Sequence, residues 1–130
     1  MIYLDTSVVL AHLLAEDRSP PPEIWKEVLI SSRLLEYEVW VRIHARGLGA
    51  SHAEATRSLL DRIYFLEFAR PVLERALEPF PLEVRTLDAL HLAAFEFIRR
   101  RGFEEIELAT YDVRMRAVAR ELGISIHDLP

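Results

Sequence analysis

The sequence predicts a three-layer α/β/α domain on a parallel sheet of four to five strands, and three observations support this. Apolar runs of strand length recur at residues 2–4, 29–34, 63–68, 105–110 and 124–126. Segments of helical periodicity separate them, in the order strand, helices, strand, helices, strand, helix, strand. That alternation implies helices on both faces of a parallel sheet, joined by right-handed crossovers. Finally, 130 residues with 51% apolar side chains suffice for one core, so residues 1–130 are read as a single domain.

The first sixteen residues, MIYLDTSVVLAHLLAE, set the pattern. Ile2, Tyr3 and Leu4 read as a strand, Asp5 ends it, and Val8 to Leu14 read as a buried helix. The prolines within 17–22 form a turn that cannot continue a helix, and they start a short helix over 23–29. A helix follows the second strand over 36–46, with Val39, Trp40 and Ile43 apolar against a polar stripe of Glu38, Arg42 and Arg46. Gly47 and Gly49 are expected to stop it. Ser51-His52-Ala53-Glu54 has the form of a capping box opening a helix to about Arg62. The run 63–68 is an edge-strand candidate. Pro71 starts a helix to about Leu77, and Pro79 and Pro81 end it. The stretch 86–101, TLDALHLAAFEFIRRR, is apolar on most sides and predicts a central, covered helix ended by Gly102. An amphipathic helix over 113–122 is closed by Gly123.

Composition excludes several classes. There is no cysteine, hence no disulfide framework, thiolate metal site or thiol nucleophile. The N-terminus lacks a basic n-region and a small-residue cleavage site, so no signal peptide is expected. The apolar runs are too short and interrupted to span a bilayer, which predicts a soluble, cytoplasmic protein with no membrane partner. A net charge of −5 argues against a general nucleic-acid coat but leaves local handling of nucleic acid open. Lys26 is the only lysine among sixteen basic residues, so a catalytic-lysine mechanism would depend on it alone.

The six aspartates are distributed tellingly. Asp5 and Asp112 each follow an apolar strand and precede a helix, Asp88 sits in the first turn of the most apolar helix, and Glu38 in the first turn of the helix after the second strand. Strand C-termini and the N-termini of following helices share one edge of a parallel sheet, so four carboxylates from four segments are expected to converge there. Each position alone favours helix capping or the helix dipole as its explanation. An Asp88 inside an apolar stretch and an Asp5 ending a buried strand are not required by that reading. Clustered carboxylates repel and are costly to desolvate unless a cation sits among them. Mg2+ or Mn2+ suits an all-oxygen set, and such a metal acidifies a water and offsets charge on a phosphodiester. Zn2+ fits less well without cysteine or a paired-histidine motif. Thr6, Ser7 and Thr110 flank Asp5 and Asp112 and can either orient a carboxylate or cap a helix.

The segments MIYLDTSVVL, SSRLLEYEVWVRI, LDALHLAAF and LATYDVRM, in this order and spacing, resemble the PIN domain, and more closely the VapC toxins of bacterial and archaeal toxin–antitoxin pairs. The resemblance spans essentially the whole chain and is most specific at DALHLA and TYD. It implies a PIN-like α/β fold and a Mg2+- or Mn2+-dependent endoribonuclease, dimeric and held inactive by a cognate antitoxin. Position by position, Asp5, Glu38, Asp88 and Asp112 match the family's four acids. Glu36 competes with Glu38, which the spacing from Ser31-Ser32 and the following Val39-Trp40 favour. The implied reaction is attack of a metal-activated water on an RNA phosphodiester, with Asp5 and Asp88 contacting metal directly and Asp112 and Glu38 through water.

His91, one turn after Asp88, reads either as a partner for an acid or the substrate, or as a satisfied core histidine. Arg42, Arg46 and Arg114 are candidates for RNA phosphates, while Arg42 also suits an i,i+4 pair with Glu38. Trp25, Trp40, Tyr64 and Phe65 read as core. A haloacid-dehalogenase-type phosphatase would need an acid where Ser7 stands, and a receiver domain a late lysine. Four glycines provide no phosphate-cradling loop. The non-enzymatic alternative is a PIN-like domain that binds RNA or protein without cutting.

Overall fold

The computed structural model describes all residues, 1–130. Four parallel strands form the sheet: β1 (Ile2–Leu4), β2 (Leu29–Ser32), β3 (Ile63–Leu66) and β4 (Glu107–Ala109), in spatial order β3-β2-β1-β4. The six helices are α1 (Thr6–Leu13), α2 (Leu34–Ala45), α3 (Gly49–Leu60), α4 (Arg70–Ala76), α5 (Thr86–Arg100) and α6 (Val113–Glu121). No helix is long and apolar enough to cross a membrane.

Side chains of a strand alternate between faces, and β1 uses that alternation to serve two cores. Ile2 and Leu4 pack with Val8, Val9, Leu35, Val39, Ile43, Leu59 and Leu60 from α1, α2 and α3. Tyr3 packs on the opposite face with Val72 of α4, Leu92 and Phe95 of α5, and Met115 and Val118 of α6. All three strand residues are buried, which is why β1 reads as a continuous apolar run. The expected central helix is α5, with eight buried residues along its length. It is tied to α4 by a shielded ion pair, Arg75 Nε to Glu96 Oε1 at 3.1 Å.

The strand order places a switch point beside β1. From β1 the chain steps one way to β2 and β3, then crosses back over the other face to reach β4 on β1's far side. Connections leaving in opposite directions open a crevice at the C-terminal ends of β1 and β4, the usual ligand position of an open α/β sheet. Asp5 and Asp112 lie just beyond those two ends.

Several local expectations are corrected. Segment 23–29 is a 3₁₀ turn over Pro22–Lys26, after which the chain is already extended as β2. Gly47, at φ +67°, does close α2, but Gly49 opens α3 instead of ending α2. Ser51 therefore lies inside α3, where its hydroxyl donates back to the Leu48 carbonyl at 3.3 Å, and no capping box forms. Segment 124–126 forms only a parallel bridge from Ile126 to Leu108. The two hydrogen bonds of that bridge, Leu108 N–H to the Ser125 carbonyl and His127 N–H to the Leu108 carbonyl, involve that one residue of β4, so the sheet has four strands and not five. β3 is an edge strand as expected, and on that edge Tyr64 is 70% exposed instead of core. Trp25, Trp40 and Phe65 are partly buried against the first core.

Candidate active site

Asp5 and Asp112 reach their places by the same local device. Each has extended backbone, ends the segment leaving its strand, and caps the helix that follows. Asp5 Oδ2 accepts from the Ser7 backbone N–H at 3.4 Å, and Asp112 Oδ1 from that of Met115 at 3.0 Å. The capping reading and the convergence reading are both satisfied, because a helix cap at the C-terminal end of a parallel strand already lies on the ligand edge.

Two hydroxyls stitch these junctions together. Thr110 Oγ1 donates to Asp5 Oδ2 at 2.8 Å and accepts from the Asp112 backbone N–H at 3.0 Å. Ser7 Oγ donates to Asp5 Oδ2 at 2.6 Å and accepts from the Tyr111 N–H at 3.0 Å. Charge-assisted bonds of this length are stronger than neutral ones, and they hold the Asp5 carboxylate although its residue is 5% exposed.

Glu38 comes from the first half of α2. Its Oε1 accepts from Thr6 Oγ1 at 2.7 Å and meets His91 Nε2 at 2.7 Å. Glu36, two residues earlier, is turned away into an ion pair with Arg33 at 3.2 Å, so the choice between them falls on Glu38. Asp88 enters from the first turn of α5. Burial, and then the like charges of Asp112 and Asp5, push its carboxyl up to about 6.

A cavity of about 420 Å3 is lined by Asp5, Glu38, Asp88 and Asp112 together with Thr6, Ser7 and Arg42. Three of the four acids bond to the protein through a single oxygen: Asp5 through Oδ2, Glu38 through Oε1 and Asp112 through Oδ1. Their second oxygens, and both of Asp88, make no protein hydrogen bond. The result is a set of anchored carboxylates presenting hard oxygen donors, the chemistry that suits a hard cation. No three acidic or histidine side chains are gathered closely enough to hold one ion among them.

A family model for the PIN domain matches residues 2–121. The chain belongs to the PIN-domain family. Two relatives from Mycobacterium tuberculosis agree: ribonuclease VapC46 is 34% identical over 96% of this chain and 95% of its own length, and ribonuclease VapC47 is 34% identical over 95% and 93%. Among solved structures, this PIN domain superposes on the toxin VapC20 of the same organism with a TM-score of 0.71 at 19% identity, covering both chains fully. It superposes on a chain of a toxin–antitoxin complex from Klebsiella pneumoniae with a TM-score of 0.64 at 18% identity, covering 90% and 91%. At those identities the two structures establish the fold.

The PIN domain thus brings all four expected acids to one cavity, with Thr6 and Ser7 on its wall and Thr110 behind Asp5. Of the arginines singled out from sequence, only Arg42 lines it. Arg46 lies in a neighbouring groove with Asp17, Arg18 and Tyr111, and Arg114 in another beside Leu82 and Glu83. Arg85, Thr86 and Leu87 also line the cavity, as does Glu16, a fifth acid on its wall, and none of them is marked by a sequence motif. The one signal for Arg85, Thr86 and Leu87 was position, immediately ahead of Asp88 where α5 begins. Tyr3 has the sequence pattern of a strand residue alone, yet its hydroxyl bonds His91 Nδ1 at 2.8 Å.

Proposed function

We propose that this PIN domain is a Mg2+- or Mn2+-dependent endoribonuclease, the toxin of a toxin–antitoxin pair, hydrolysing RNA phosphodiester bonds at Asp5, Glu38, Asp88 and Asp112. The observation behind this reading is the set of four carboxylates from four elements around one cavity, three of them anchored through one oxygen with the other unpaired. The names of the M. tuberculosis relatives support the ribonuclease class.

The donor set fits Mg2+ or Mn2+. Mg2+ is usually held by only one or two carboxylates and keeps several waters, which suits acids spread around a cavity better than a closed cage. When bound, such an ion acidifies a water and offsets charge developing on the phosphodiester. Asp5 and Asp88 would hold it directly, and Glu38 and Asp112 through water. The protein's own contribution is positional. Ser7 and Thr110 fix Asp5, Thr6 and His91 fix Glu38, and α6 fixes Asp112 as its cap. Asp88, whose ionisation is opposed by burial and by Asp112 and Asp5, would be favoured as a charged ligand by a bound cation. Arg42 and Arg85 line the same cavity and can pair with RNA phosphates.

In this reading the protein acts as a cytoplasmic homodimer restrained by a cognate antitoxin. Sedimentation of the purified chain tests the dimer, and co-purification with the product of an adjacent gene tests the antitoxin. Cleavage of a panel of structured RNAs in Mg2+, Mn2+ or EDTA, with Asp5→Asn and Asp88→Asn as controls, tests the chemistry. Cutting that needs metal and disappears in both variants is the expected result. Cutting that survives EDTA rules out the metal mechanism, and RNA binding without any cutting indicates a non-catalytic PIN-like binding domain.

A further inference from the structure

A chain of buried hydrogen bonds crosses the molecule behind Glu38. The Ser32 backbone N–H donates to the Tyr3 hydroxyl at 3.2 Å, that hydroxyl meets His91 Nδ1 at 2.8 Å, and His91 Nε2 meets Glu38 Oε1 at 2.7 Å. Tyr3 and His91 are 0% and 1% exposed, so neither can exchange these partners for solvent. Burial pushes the Tyr3 phenol far above its ordinary range, leaving a protonated donor.

The direction of the chain follows from its ends. A carboxylate can only accept, so His91 Nε2 carries the proton toward Glu38. Tyr3 O accepts from Ser32, and in the neutral imidazole, with Nε2 protonated, Nδ1 is the acceptor for the Tyr3 proton. The sequence Ser32 N–H to Tyr3 O–H to His91 N–H to Glu38 leaves every donor used. Protonating Nδ1 would not alter the Glu38 bond, since Nε2 keeps its proton in either charge state.

We infer that His91 is a positioning residue for the nuclease site: it orients Glu38 by holding Oε1 and leaves Oε2 as the oxygen available to the cavity. This rests on the nuclease reading above and extends it to a residue that touches neither substrate nor reacting atoms. Thr6 supplies the second bond to Oε1 at 2.7 Å, which fixes the carboxylate from two directions. His91 lies three residues after Asp88 on α5, so one helix presents one acid directly and aims another through an imidazole. Tyr3 on β1 in turn holds the imidazole, joining the orientation of Glu38 to the strand that ends in Asp5.

The test compares two amides in the full-length protein. In His91→Gln the side-chain N–H reaches where Nε2 stood and can donate to Glu38; in His91→Asn it reaches only to the Nδ1 position, near Tyr3. We expect His91→Asn to lower kcat about 10- to 100-fold with KM for RNA within about twofold of wild type. Mn2+ affinity by calorimetry should fall with it, and His91→Gln should restore most of both. A purely structural histidine predicts that the two variants behave alike. A double-mutant cycle of His91→Asn with Glu38→Ala, read by urea unfolding, should be non-additive. The inference is overturned if folded His91→Asn keeps wild-type kcat and Mn2+ affinity, if both amides lose activity equally, or if the cycle is additive. A wild-type protein that neither binds Mn2+ nor cuts RNA overturns the nuclease reading, and this role with it. An active wild type indifferent to His91→Asn overturns this role alone.

Discussion

Asp88 differs from the other three acids in having neither carboxylate oxygen tied to the protein, and its charge is the one most opposed by its surroundings. Its pKa of about 6 in the folded chain lies above the ordinary 3.8. Between those values the folded state holds a proton that the unfolded state has released, so stability falls as pH rises through the window. The full shift would correspond to about 3 kcal/mol, but the side chain is half exposed and solvent screening reduces this to about 1 kcal/mol. In EDTA, Asp88→Asn should therefore melt higher than wild type at pH 7.5 and no higher at pH 4; in Mg2+ or Mn2+ it should lose RNA cleavage. Thr110 is the counterpart at Asp5. It is fully buried and bonds both Asp5 and the Asp112 backbone, so Thr110→Val removes one of the donors to Asp5 Oδ2, which keeps Ser7, and leaves the Asp112 N–H without its partner. A loss of about 1–3 kcal/mol in urea unfolding is expected, together with reduced cleavage.

At the scale of elements, α6 and α3 make contrasting cases of the same motif. Asp112 accepts from the third residue of α6 and satisfies one of the free N–H groups at that helix start. Asn caps as well as Asp, and Ala does not. Asp112→Asn should thus retain wild-type stability while losing cleavage, whereas Asp112→Ala loses cleavage and about 1 kcal/mol of stability. Equal stability losses in thermal melts of the two variants would contradict the capping role. Ser51 has the sequence context of a cap but sits within α3 with its hydroxyl bonded to the Leu48 carbonyl. Ser51→Ala should change stability by less than about 0.5 kcal/mol.

At the scale of the whole molecule, the sheet order decides where the chemistry can lie. The chain runs from β1 to β2 and β3 on one side and returns to β4 on the other, and the crevice at that switch point receives Asp5 from the end of β1, Asp112 from the end of β4, Glu38 from α2 and Asp88 from α5. Those elements fold against different cores, so under the proposed function a cation held by Asp5 and Asp88 would join both sides of the sheet. Mg2+ or Mn2+ should raise the melting temperature in proportion to RT ln(1 + [L]/Kd), about 2.7 kcal/mol at a hundredfold excess over Kd. EDTA should reverse the effect, and Asp5→Asn should abolish it. A melting curve unchanged by either ion would show that the cavity does not take it up.

The sequence alone determined the alternation of strands and helices, the burial of β1 and α5, and the placing of Asp5, Asp88 and Asp112 at helix starts. Glu38 was expected there too, but α2 begins at Leu34, which leaves Glu36 in its first turn and Glu38 one step further in. These are local matters: a run of three apolar residues, a helical stripe, or a carboxylate before a helix records its own environment. The fifth strand and the capping box failed because pairing and helix starts depend on neighbours. Segment 124–126 found only Leu108 to pair with, and Leu48 and Gly49 began α3 before Ser51 could cap it. Spacing favoured Glu38 over Glu36, and the tertiary structure shows their different surroundings, one on the cavity wall and the other paired with Arg33. The tertiary structure alone brought Tyr3 and His91, 88 positions apart, into one hydrogen-bond chain. Contacts at that separation arise when the crossover lays α5 against the sheet, a consequence of topology that no local window of sequence contains.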